Sequence, residues 1–136
     1  MKLERKNVSI TTDLRSYAIH SLAADYRLTT DLDKFFDQRC GLQRKLAWVG
    51  HGACPDCIYI EGLFIPVFKK TASDRVNMNQ CKAALRALRK QIMLRDVTEV
   101  RISYTDDMLF ERDPDTVLEY MQKIFAEDPV TVIVCD

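Results

Sequence analysis

"VTEVRISYTDDMLFERDPDTVLEYMQKIFAEDPVTVIVCD", Val97 to Asp136, carries the clearest statement of fold class in the chain. Its opening, Val97–Ser103, reads as a strand. Asp113–Pro114 then reads as a helix start, with the acid as cap and the proline in the first turn. Val117, Leu118, Met121, Ile124 and Phe125 give that helix a buried face. Val130–Cys135 is a near-continuous apolar run, the pattern of a strand covered on both faces. Just upstream, a helix begins near Asn77 or Met78. Its Cys81, Leu85, Leu88 and Ile92 form one apolar stripe. The second half therefore reads strand, helix, strand, helix, strand. That alternation predicts a three-layer α/β/α fold with a central mixed, largely parallel sheet.

Inside this stretch lies a loop that does not look like a phosphate site. In open α/β sheets, ligands bind where strands hand over to loops at their carboxyl ends. A phosphate loop carries glycines, so that backbone N–H groups can approach the anion. This loop has no glycine, and it carries acids at Asp106, Asp107, Glu111 and Asp113.

The first half adds strands and a helix. Asn7–Thr11 and Tyr17–Ala23 read as short strands. "TTDLDKFFDQRC" reads as a helix capped by Thr29 or Thr30, with Gly41 as its stop. "LAWVG", "CIYIEG" and "LFIPVFKK" read as a β-rich middle, with a tight turn at Glu61–Gly62. Pro66 argues that its strand lies at an edge or is bulged there.

The chain has 136 residues, 47% of them apolar and 29% charged, with a formal net charge of zero. That suits one domain, 1–136, which buries about two-thirds of its unfolded surface. A neutral balance gives no global attraction to nucleic acid or to an anionic membrane. The start, "MKLERKNVSI", has no long apolar run, so no signal peptide is expected. No segment has the length to span a bilayer. The odd number of scattered cysteines, five, does not suit a secreted disulfide framework. The nucleus or cytoplasm is the expected location.

Several side chains invite chemistry, and each has a plain structural rival. His51, Cys54 and Cys57 in "HGACPDC" have zinc-like spacing, but a structural zinc wants four ligands and no second Cys-x-x-Cys exists. A turn between strands explains the composition better. No metal and no cofactor are expected. Lys69–Lys70 follow a strand, where a lysine near a ligand can bind phosphate or act as a nucleophile; a solvated pair is the rival reading. The basic face of the Met78–Leu94 helix has no interleaved aromatics, so nucleic-acid binding is not indicated. His20, in a short apolar strand, reads as a hydrogen-bonded core histidine.

Four segments together carry a resemblance: "YAIHSLAADYRLTTDLDKFF", "FIPVFKKTASDR", "CKAALRALRKQIMLRDVTEVRIS" and "VTVIVCD". In order and spacing they resemble the macrodomain family. The similarity is to its small single-domain ADP-ribosyl hydrolases, of the terminal ADP-ribose protein glycohydrolase or O-acetyl-ADP-ribose deacetylase type. It covers Asn7 to Asp136. The resemblance implies an ADP-ribose cleft at the strand ends. It also implies a nucleophilic lysine, which falls on Lys69, and a resolving aspartate, whose place is held by Phe110. Glu111 is the adjacent acid and substitutes only if the loop shifts by a residue. The ribose-wrapping Met-Gly-Ala-Gly segment corresponds to Leu28-Thr29-Thr30-Asp31. The Gly-x-Gly-Leu-Asp loop corresponds to Asp106-Asp107-Met108-Leu109-Phe110, just after Tyr104. The acid that reads the adenine amine is replaced within Asn7-Val8, and Asp25 matches a family acid before the helix.

These departures all oppose the ancestral chemistry. Side chains replace glycines, which raises the cost of positive φ. Added carboxylates repel a diphosphate by roughly 1 kcal/mol or more per close pair. Loss of the adenine acid removes a contact worth roughly 1.5–3 kcal/mol. The resemblance and its departures together imply a diverged, non-catalytic macrodomain acting as a protein-interaction module through an unidentified protein partner. Two rivals stay open. One is weak ADP-ribose binding. The other is ADP-ribosyl-protein hydrolysis, with Lys69 as nucleophile and Glu111 or Asp107 replacing the missing acid.

Overall fold

A computed structural model describes residues 1–12, 17–49, 53–71, 73–75, 77–104 and 114–135. The strands are β1 (Lys2–Lys6), β2 (Tyr17–Ile19), β3 (Asp56–Ile60), β4 (Leu63–Val67), β5 (Glu99–Ser103) and β6 (Thr131–Cys135). The helices are α1 (Asp31–Cys40), α2 (Leu42–Val49), α3 (Met78–Leu94) and α4 (Pro114–Ile124). The strands form one six-stranded sheet in the order β1-β6-β5-β2-β4-β3. Only the β3–β4 pairing is antiparallel among the described strands. The sheet is thus mixed and largely parallel, as the alternation of elements predicts.

Two apolar clusters sit on opposite faces of the sheet. On one, Leu85, Leu88 and Ile92 of α3 and Val117 and Met121 of α4 meet Phe64, Ile102, Val132 and Val134. On the other, Phe36 of α1 and Leu42 and Leu46 of α2 meet Leu63, Ile65, Ile133 and Cys135. β6 feeds both clusters alternately, which is why its sequence is apolar without interruption. The result is the expected three-layer arrangement.

Local chemistry sets the element ends. Asn77 caps α3, its Oδ1 accepting from the N–H groups of Asn79 and Gln80. Gly41 ends α1 at φ 66°, a left-handed conformation that glycine adopts without a Cβ penalty. Glu61 and Gly62 both have positive φ, as a tight I′-type hairpin turn requires. Among the described residues, no helix is long and apolar enough to cross a membrane.

Several expectations need correction or a limit. The N-terminal strand is Lys2–Lys6, and Ile10–Thr12, overlapping the expected Asn7–Thr11 strand, is a short 3-10 turn. β2 ends at Ile19, short of the expected Ala23. "LAWVG" is not a strand: Leu46, Ala47, Trp48 and Val49 belong to helix α2, whose Leu42 and Leu46 lie four apart and face the core. Pro66 lies in an interior strand, between β2 and β3. Its carbonyl accepts from Leu22 N–H on the β2 side, beyond the end of β2 proper. The missing proline N–H faces that same side, so it interrupts no paired position of the β2–β4 ladder. The Asp113 cap lies outside the described residues; α4 does begin at Pro114.

Candidate functional site

β2 and β5 are neighbours, with Ala18 opposite Arg101. The chain leaves β2 for α1 and α2 on one face, and leaves β5 for α4 on the other. Adjacent strands whose connections diverge in this way open a crevice at their carboxyl ends. The segments that follow β2, β4 and β5 all leave this edge, because the three strands run parallel. Ala24 N–H donates to Lys69 O at 2.8 Å, which ties the β2–α1 segment to the end of β4.

The dominant feature of this edge is a buried pair. His20, the first residue after β2, places Nε2 2.5 Å from Asp33 Oδ1. Both residues are only 4% exposed. The other carboxylate oxygen, Asp33 Oδ2, accepts from Thr29 N–H at 2.8 Å and from Thr30 N–H at 3.0 Å. Asp33 N–H in turn donates to Thr30 Oγ1, closing a capping box at the start of α1. The His20 ring also packs against Phe36, 5.0 Å between centroids. Burial pushes the Asp33 carboxyl up, but the His20 hydrogen bond, the two backbone N–H groups and the His20 charge outweigh it. The net effect holds the carboxyl below its ordinary range. The core-histidine reading of His20 therefore holds, and it comes with a specific carboxylate partner.

The residues expected in the cleft fall into three groups. Lys69 stands just past β4, 2% exposed, with Nζ 3.4 Å from the Asp74 carbonyl oxygen and 5.4 Å from the Phe68 ring centroid. Along the β2–α1 segment, the Asp25 carboxylate accepts from Arg27 N–H at 3.3 Å. Leu28 turns onto the α1/α2 core. Thr30, rather than Thr29, is the helix cap, and Asp31 is an exposed acid in the first turn. At the end of β5, the Tyr104 hydroxyl donates to Asp115 Oδ1 at 2.9 Å, and the Arg5 guanidinium lies 4.4 Å from its ring centroid. Asp106, Asp107, Met108, Phe110 and Glu111 lie outside the described residues.

Asp33 and Tyr26 are not singled out by sequence reasoning. The spacing Thr30-x-x-Asp33 is a capping-box signal that local reading can find; its bond to His20 is not local. Tyr26 adopts φ 55° in the β2–α1 segment, and its buried hydroxyl has no hydrogen-bond partner among the described residues. Burial, then the Asp56 charge, raises its pKa.

The "ACPDC" segment bends as expected, but it leads from helix α2 into β3 rather than joining two strands. Cys54 and Pro55 form a bend, and Asp56 begins β3. Burial first, then the Asp56 charge, pushes the Cys57 thiol up to about 12, opposite to what a reactive or metal-binding thiolate requires. Among the described residues, no three His, Cys, Asp or Glu side chains gather as a metal site would need; His51 lies outside them.

In architecture the chain is similar to solved macrodomains over nearly its whole length. It matches the macrodomain of Thermus aquaticus DarG with a TM-score of 0.75 and 14% identity, over 98% of this chain and 97% of that one. The macrodomain of Mycobacterium tuberculosis DarG gives the same values. A Trypanosoma brucei macrodomain gives a TM-score of 0.68 and 14% identity, over 98% of this chain and 60% of that one. No protein-family model matches the sequence, and no curated protein sequence matches it at a significant level. At such low identity the likeness establishes the fold, and the fold is that of a macrodomain.

Proposed function

We propose that this macrodomain-fold protein no longer hydrolyses ADP-ribosyl bonds and works as a protein-interaction module, a diverged relative of the small ADP-ribosyl hydrolases. One observation carries the reading. The N–H groups of Thr29 and Thr30, on the segment in the ribose-wrapping position, are already engaged by the Asp33 carboxylate. His20 holds that carboxylate in place. An ADP-ribose entering here meets amides that are already taken.

Lys69 supports the same reading. A nucleophile must reach the ribose, whereas this amine is buried and directed at the Asp74 carbonyl oxygen. The family resemblance supports it further, since on that correspondence Phe110 takes the place of the resolving acid and Asp106 and Met108 the places of glycines. The direct test is incubation with a glutamate-linked ADP-ribosylated protein. Release no greater than that of the Lys69→Ala variant is expected, and release well above it sinks the proposal.

A second reading, weak ADP-ribose binding without catalysis, is favoured by the retained switch-point crevice with a lysine beside it. A ligand-dependent rise in melting temperature would select it over the first. The odd number of scattered cysteines, five, supports a reducing compartment, nucleus or cytoplasm.

A further inference from the structure

α3 carries Lys82, Arg86, Arg89 and Lys90 and no acidic residue. Its apolar stripe faces the sheet, so these cations project away from the core. Two have internal partners. Lys82 Nζ lies 4.6 Å from the Tyr120 ring centroid, and Arg89 holds Asp128 with two bonds of 2.6 and 2.9 Å. Arg86 and Lys90 are exposed and have no acidic partner among the described residues; the same is true of Lys123 on α4. These three cations line a depression of about 780 Å³ that runs from the start of β3 across α3 to the end of α4. Asp56 is the one acid in its lining among the described residues. A chain of zero net charge thus gathers, among the described residues, three cations without an acidic partner on one concave surface.

We propose that this depression docks an acidic segment of a partner protein; the inference rests on the interaction-module reading and names where that interaction occurs. Charge complementarity sets the partner's chemistry. Arg86 and Lys90 are one helical turn apart, about 6 Å along the axis, so successive Asp or Glu side chains of a partner can meet both. Nucleic acid fits less well. No aromatic residue is among the described residues that line the depression, and the Tyr120 and Tyr59 rings on the neighbouring elements each carry a cation, Lys82 and Arg95, the Arg95 guanidinium 4.0 Å from the Tyr59 centroid. Bases therefore have no open stacking platform there.

The test uses the full chain and a fluorescein-labelled oligoglutamate peptide, followed by anisotropy. Saturable binding that weakens as salt rises is expected. The double variant Arg86→Glu/Lys90→Glu should weaken it by about tenfold or more, while Lys34→Glu on α1 should not change it. Both side chains are exposed, so the melting temperature of the double variant should match the parent's. Absence of peptide binding, equal binding by the double variant, or tighter binding of a single-stranded oligonucleotide of the same charge would each overturn the proposal. ADP-ribose is titrated into the same preparation. Tight ADP-ribose binding overturns the functional reading; absence of peptide binding without it overturns the docking site alone.

Discussion

Replacing Asp33 with alanine should be among the most damaging single changes at the cleft edge. The carboxylate accepts from His20 Nε2 and from two backbone N–H groups in a site that is 4% exposed. Hydrogen bonds to a charged group are worth about 1.5–3 kcal/mol each, and a stranded buried polar group costs about 1–3 kcal/mol. Water can recover the Thr29 amide, because Thr29 is exposed. It cannot readily reach the His20 ring. The expected loss is therefore about 3–5 kcal/mol, the range for breaking a buried pair from one side. With a urea slope of about 1–3 kcal/mol/M, the unfolding midpoint should fall by roughly 2 M. Asp31→Ala, in the same helical turn but exposed, should cost about 0.3–1 kcal/mol through the helix dipole alone. His20→Ala combined with Asp33→Ala should cost less than the sum of the two, since neither partner is then stranded. An Asp33→Ala loss within about 1 kcal/mol of Asp31→Ala, or strict additivity with His20→Ala, would refute the pairing argument.

The acid limb of stability should carry the Asp33 signature. Its carboxyl is held below the ordinary range when folded, so at acid pH the unfolded chain binds more protons and stability rises with pH. That contribution is fully present above about pH 4 and is lost as pH falls through the lowered folded value. Asp33→Asn should flatten the acid limb in urea titrations between those limits. Alkylation by iodoacetamide at mildly alkaline pH should modify half-exposed Cys54 before buried Cys57, whose thiol is pushed up to about 12; equal rates by mass spectrometry would contradict the burial argument. Gly41→Ala should cost about 1 kcal/mol in thermal or urea unfolding, through backbone strain at φ +66° rather than through a clash. The nearest atoms to the new Cβ are 3.8 Å and 3.9 Å away.

The parts of this fold that sequence reveals are those whose signals are local. α3 shows its cap at Asn77 and its stripe from Cys81 to Ile92. β6 shows its two covered faces as an unbroken apolar run. β1 shows neither, because a charged edge strand, Lys2-Leu3-Glu4-Arg5-Lys6, is held by its ladder to β6 rather than by a buried face. α2 is short, and its brief apolar run fits either period. Pro66 misleads because the gap beside an interior strand depends on where β2 ends. At the site, the positions of Lys69 and Tyr104 at strand ends follow from the strand pattern, whereas His20, expected inside a strand Tyr17–Ala23, stands past the end of β2 at Ile19. The His20–Asp33 bond joins residues 13 apart across a turn, and no periodicity encodes it. It is also the feature that changes the meaning of the Thr29 and Thr30 amides.

Whether the cleft has given up its ligand is decided by calorimetric titration with ADP-ribose. With the loop amides held by Asp33, binding should be absent or weaker than about 1 mM, near −4 kcal/mol. Saturable heat with a dissociation constant of about 1 μM would show that the amides remain available to the ligand, and would contradict the interaction-module reading.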